Sequence, residues 1–87
     1  MFSWREDESN KDAYMYLRNG LFFTVRPHSF YKNTWQASLW LKTGDNRQIE
    51  IHDWDIEMCH SLEGAKKVAK RQLKQYLQSL VEGIEDA

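Results

Sequence analysis

The stretch Trp35-Gln36-Ala37-Ser38-Leu39-Trp40-Leu41-Lys42, then Thr43-Gly44-Asp45-Asn46, then Arg47-Gln48-Ile49-Glu50-Ile51-His52-Asp53-Trp54, decides the fold. In its first part Trp35, Ala37, Leu39 and Leu41 alternate with Gln36, Ser38, Trp40 and Lys42, the period of a half-buried strand. The Thr-Gly-Asp-Asn segment supplies turn chemistry, and a second strand follows. Its alternation sends Ile49 and Ile51 to the core and Gln48, Glu50, His52 and Trp54 outward. The prediction is an antiparallel hairpin that carries Trp40 and Trp54 on its outer face.

Working outward from this hairpin, Ser61 is a good N-cap and Glu63 suits the positive end of a helix dipole. Leu62, Ala65, Ala69, Leu73, Tyr76, Leu77, Leu80 and Ile84 then recur at three- and four-residue spacing. That stripe predicts a helix over Ser61 to Ile84 laid on a sheet, with Gly83 at its frayed end. Toward the N-terminus, Asn19-Gly20 separates Ala13 to Arg18 from Leu21 to Arg26, the signature of a hairpin whose turn residues need φ > 0. A competing reading takes Ser9 as an N-cap with Asp12 three residues on, runs a short helix to Asn19 and uses Gly20 as its C′ residue. Pro27 to Asn33 reads as a loop, and Met1 to Lys11 as a flexible arm or a tied-down end. The fold class is therefore α+β: a three- or four-stranded antiparallel meander against one long C-terminal helix, with an αβββα order as the alternative.

At 87 residues the chain suffices for one domain, since two cores would each bury too little surface. An apolar fraction of 41% and a charged fraction of 29% place it among globular proteins. Twelve aromatic residues are more than so small a core can hide, so some must reach the surface. With Cys59 as the single cysteine, no intramolecular disulfide can form, which predicts a reducing compartment. The opening residues lack the basic and apolar stretches of a secretory signal, and no apolar run approaches a membrane span. A cytoplasmic protein without membrane contact is expected. The net charge of −1 hides a segregation. Acids crowd between Asp45 and Glu57, bases between Lys66 and Lys74, and acids return at Glu82, Glu85 and Asp86.

The candidates for chemistry are few. No Gly-rich phosphate loop or nucleophile elbow is present, and the side chains of adjacent Cys59 and His60 diverge, so no catalytic residue is assigned. His52, Asp53, Asp55, Glu57, Cys59 and His60 are metal-ligand types, but neighbours on a strand point to opposite faces, so this is read as an acidic strand end and no metal or cofactor is expected. Lys66, Lys67, Lys70, Arg71 and Lys74 fall within about 140° of the helical wheel beside the apolar stripe. This strip is either the solvated face of an amphipathic helix or a phosphate-contacting surface for nucleic acid. Trp40 and Trp54, with Glu50, Asp53 and Asp55 nearby, form the candidate surface for another protein. They could instead be covered by Trp4 or Phe2, and a second copy of the chain is an admissible partner.

The strand Trp35-Gln36-Ala37-Ser38-Leu39, a hairpin, and a helix opening Ser61-Leu62-Glu63-Gly64-Ala65-Lys66 resemble, over about half of the chain, the βββα modules common among short accessory proteins of bacteriophages. Gly64 departs from that pattern. The resemblance implies a non-enzymatic protein that binds, and often inhibits, a host macromolecule. The run Gly64-Ala65-Lys66-Lys67-Val68-Ala69-Lys70 is similar to the last helix of double-stranded-RNA-binding domains, which implies Lys66, Lys67 and Lys70 as phosphate contacts. The other RNA-contacting segments of that family have no counterpart here.

Overall fold

In a computed structural model that describes residues 3–9 and 11–85, the chain runs as five strands and one helix: β1 (Arg5–Asp7), β2 (Asp12–Tyr16), β3 (Leu21–Pro27), β4 (Trp35–Lys42), β5 (Gln48–Ile56) and α1 (Leu62–Glu85). The strands form one antiparallel sheet in the order β1-β2-β3-β4-β5, an uninterrupted meander in which each strand pairs with its sequence neighbour. The expected arrangement of meander and C-terminal helix is the observed one, with a fifth strand added at the N-terminal edge. Over its described residues the arm is tied down: Arg5 pairs with Tyr14 and Asp7 with Asp12. Met1, Phe2 and Asn10 of that segment lie outside the described residues.

The alternative αβββα order fails at Asn19-Gly20. Both residues have positive φ, 61° and 80°, and Leu21 N–H donates to the Arg18 carbonyl at 3.1 Å, so the chain reverses into β3 instead of ending a helix. Gly20 is also hemmed in. A Cβ there would stand 2.7 Å from the Lys42 carbonyl, and Lys42 N–H donates to the Gly20 carbonyl at 2.8 Å. The turn between β4 and β5 likewise uses a positive φ, at Asn46, with Asn46 N–H bonded to the Thr43 carbonyl.

The register of β4 on β5 corrects one expectation. Leu39 pairs with His52 but Trp40 pairs with Glu50, so Ile51 is an extra residue in a β-bulge. The extra residue inverts the pleat beyond it. Trp54 and His52 therefore share the helix-covered face with Ala37 and Leu39, whereas Asp53 and Asp55 stand on the open face with Ser38 and Gln36. Strict alternation had put Trp54 outside and Ile51 in the core; Ile51 is 42% exposed.

The core lies between this inner face and the first half of α1. Phe23, Val25, Trp35, Ala37, Leu39 and Ile56 from the sheet meet Ala65, Ala69 and Leu73 from the helix. Small alanines at the contact let the helix axis approach the sheet closely, which is how so short a chain closes its core. Ser61 caps α1 as expected: its Oγ accepts from Gly64 N–H at 3.2 Å. Trp35 anchors the segment before the helix, its Nε1–H donating to the Cys59 carbonyl at 2.9 Å. Trp4 packs against Phe23 with ring centroids 6.0 Å apart, so it closes the inner face and does not cover Trp40; Phe2, the other candidate cover, lies outside the described residues.

Candidate functional site: the open face of the sheet

Because α1 occupies one side of the sheet, the other side is defined by register alone. Cross-strand pairing arranges it in rows. Tyr16, Phe22, Trp40 and Glu50 form the first; Arg5, Tyr14, Thr24, Ser38 and Asp53 the second; Arg26, Gln36 and Asp55 the third, beside Asp7 and Asp12. An aromatic band thus runs across three adjacent strands. Phe22 and Trp40 stack with centroids 6.0 Å apart and planes 6° from parallel. Tyr16 tilts against Phe22 at 6.3 Å and Tyr14 meets Tyr16 edge-on at 5.7 Å. The Arg5 guanidinium lies 5.7 Å above the Tyr16 ring, close enough for a cation–π contact.

Polar groups fix this band in place. Trp40 Nε1–H donates to Thr24 Oγ1 at 3.0 Å, holding the indole down over the small residues of the middle row. Tyr14, Tyr16, Phe22 and Trp40, with Thr24 and Arg26, line a shallow groove of about 330 Å³. In the middle row between Thr24 and Asp53, Ser38 is 1% exposed and its Oγ has no hydrogen-bond partner among the described residues. Along one side, Gln36 Nε2–H donates to Asp53 at 3.4 Å, and Asp55 and Glu50 continue the acidic edge. On the opposite side, burial pushes the Asp12 carboxyl above its ordinary value, Arg26 draws it back, and Asp7 raises it further. The face can therefore offer flat π surface, a few hydrogen-bonding groups and an acidic margin, which is binding chemistry.

Of the residues expected to bind a protein, Trp40, Glu50, Asp53 and Asp55 come together on this face and Trp54 does not. Trp54 is wedged between Phe23 at 5.8 Å and Tyr76 at 5.5 Å, with His52 stacked on Tyr76 at 4.7 Å and 8°. Tyr14, Tyr16 and Phe22 take its place, a contribution that the sequence reading missed. The alternation of Tyr14 and Tyr16 with buried Ala13 and Met15 carried the signal.

The basic strip on α1 is divided. Lys66 turns back under the N-terminal strand, its ammonium 2.5 Å from Glu6 and 2.7 Å from Glu63, with the Trp4 ring 5.9 Å away. These hydrogen bonds hold its ammonium above the usual lysine range and, reciprocally, hold Glu63 below the usual carboxylate range. Lys66 is therefore a structural clasp. Lys67, Lys70, Arg71 and Lys74 are exposed and share a shallow groove with Gln75 and Gln78.

Among the described residues, no three His, Cys, Asp or Glu side chains converge as metal ligands would. His52 faces the helix, Asp53 and Asp55 face the open side, and the Cys59 carbonyl is occupied by Trp35. No described helix is long and apolar enough to cross a membrane. Comparison with known protein families, with curated proteins and with solved structures finds no match for this chain.

Proposed function

We propose that this chain is a non-catalytic module that binds another protein through the open face of its sheet. The observation that carries this reading is the aromatic band of Tyr14, Tyr16, Phe22 and Trp40, ordered by stacking and by the Trp40–Thr24 hydrogen bond on a face that the helix leaves bare. Aromatic side chains supply large contact area at low entropic cost, because two χ angles position each ring. The acidic margin of Glu50, Asp53 and Asp55 selects a partner segment that combines apolar or aromatic side chains with lysine or arginine. In keeping with the likeness to short bacteriophage accessory proteins, the partner is a host macromolecule whose activity the module modulates.

The test is affinity capture from bacterial lysate at physiological salt, run with and without prior nuclease treatment, with three forms of the chain compared. The wild type and a Lys67→Glu/Lys70→Glu/Lys74→Glu variant should retain the same protein. A Phe22→Ala/Trp40→Ala variant with wild-type circular dichroism should lose it. Equal capture by the aromatic variant would refute the assignment of this face. Recovery of nucleic acid in place of a protein, lost with the lysine changes and steeply weakened by salt, would establish the rival reading in which the exposed bases of α1 contact phosphates.

A further inference from the structure

Beyond Tyr76, which packs on His52 and Trp54, α1 buries no residue against the described part of the chain. The helix is 24 residues long, about 36 Å, but its buried residues end at Leu73, and every residue from Leu77 to Glu85 is exposed. This overhang is not polar. Leu77, Leu80, Val81 and Ile84 are 39%, 48%, 53% and 76% exposed and fall within about 100° of the helical wheel. Beside the root of the overhang, an apolar groove of about 550 Å³ opens between Leu73 and Leu77 of the helix and Met15 and Leu21 of the sheet, with Leu17 of the turn between them and Lys70 and Lys74 also lining it.

Charge says what fits there. Going along α1, Lys70, Arg71 and Lys74 precede Leu77, and Glu82 and Glu85 follow it. Two such helices packed antiparallel about a twofold axis between Gln78 and Ser79 bring Ile84 of one opposite Leu73 of the other and Leu80 opposite Leu77. In that register Glu82 falls within one residue of the partner helix's Lys74, and Glu85 within one residue of its Arg71, inside the reach of these long side chains. Parallel packing would oppose like charges at both ends. We infer that the overhanging half of α1 is a homodimer interface, in which each copy lays Leu80, Val81 and Ile84 into the other's groove and pairs Glu82 and Glu85 with its basic turn. A surface that is complementary to itself under twofold rotation is what an isologous dimer requires. This inference is independent of the open sheet face, which lies on the opposite side of the sheet and stays accessible in the dimer.

Sedimentation equilibrium of the full chain tests it. The wild type should be a dimer at micromolar concentration, and a Leu80→Glu/Ile84→Glu variant, altered only at exposed positions, a monomer with unchanged circular dichroism. Lys70→Glu/Arg71→Glu/Lys74→Glu and Glu82→Lys/Glu85→Lys should each be monomeric alone and form a heterodimer when mixed, since one helix is then acidic and the other basic throughout. A wild type that stays monomeric to about 1 mM overturns the proposal. So does a dimer that survives Leu80→Glu/Ile84→Glu, or charge variants that fail to recombine.

Discussion

Replacing Trp54 by Ala separates the observed sheet from the one that strict alternation would build. Trp54 is half-buried against Phe23, Tyr76 and His52, so the change removes a large ring from the seam between β5 and α1. Full burial of Trp or Phe is worth about 3–5 kcal/mol on truncation to Ala, and a half-buried ring should lose about half to two thirds of that, about 2–3 kcal/mol. The edge-to-face contacts with Phe23 and Tyr76 place the expected loss toward the upper end, since such pairs add about 0.5–1.5 kcal/mol. Trp40→Ala is the internal control. Trp40 is also half-buried, but the change removes one stack and one hydrogen bond on the open face and no part of the core, for about 1–2 kcal/mol. Urea denaturation followed by far-ultraviolet circular dichroism reads both as shifts of midpoint at constant slope. In a domain of this size the Trp54 variant should also melt about 10–20 °C lower. If Trp54→Ala matches the wild type while Trp40→Ala is the more damaging, the bulge at Ile51 is misplaced and the two faces must be exchanged.

Leu39→Ala and Leu73→Ala, from the two sides of the core, should each cost about 2–5 kcal/mol in the same assay, and midpoints equal to that of the wild type would disprove the packing of α1 on β4. Gly20→Ala should cost about 2 kcal/mol or more, because it combines a left-handed φ of 80° with a Cβ 2.7 Å from the Lys42 carbonyl; a neutral effect would show that the turn relaxes freely. Asp12→Asn should stabilise the domain at neutral pH. The folded-state pKa of Asp12 is raised, so its contribution favours folding below the ordinary aspartate value and is lost as pH rises through the raised one; the variant's advantage should therefore vanish near pH 3, and an advantage there as large as at neutral pH would refute it.

How much of this was legible depends on whether a signal was local. The Asn19-Gly20 turn and the Ser61 cap are written in adjacent residues whose backbone chemistry allows few alternatives, and both form as the residues dictate. The bulge is a different matter. Ile49 and Ile51 keep one phase and Trp54 and Ile56 the other, so the phase slip is in the sequence. It is read only when the apolar residues after His52 are allowed to reset the face. Missing it moved Trp54 across the sheet and gave the expected open face a tryptophan that belongs to the inner one. β1 carries no local signal either: Arg5, Glu6 and Asp7 are charged and exposed, and their strand exists because β2 presents an unpaired edge and Lys66 reaches Glu6 from the helix. A three-residue charged strand is also a poor template for further pairing, which protects that edge from aggregation.

The division of labour between the two faces constrains the functional argument. The inner face and the first half of α1 contain all of the buried apolar side chains among the described residues, so the fold is stabilised without the open-face aromatics. Cross-strand pairs such as Phe22–Trp40 and Tyr16–Phe22 contribute a few tenths to about 1 kcal/mol each, an amount that threonine or valine pairs would also supply on a solvated sheet. Folding alone therefore leaves the identity of these four rings underdetermined, whereas a binding face specifies it, because flat π surface and an indole tethered to Thr24 cannot be replaced by aliphatic strands of equal stability. The dimer adds a second consequence. Two open faces carried by one particle turn a modest single-face affinity into avidity for a partner that is itself repeated or symmetric. The monomeric Leu80→Glu/Ile84→Glu variant should then bind such a partner more weakly than the wild type with its single-face affinity intact, which surface plasmon resonance distinguishes by reversing which partner is immobilised. Equal apparent affinity in both orientations would separate dimerisation from recognition.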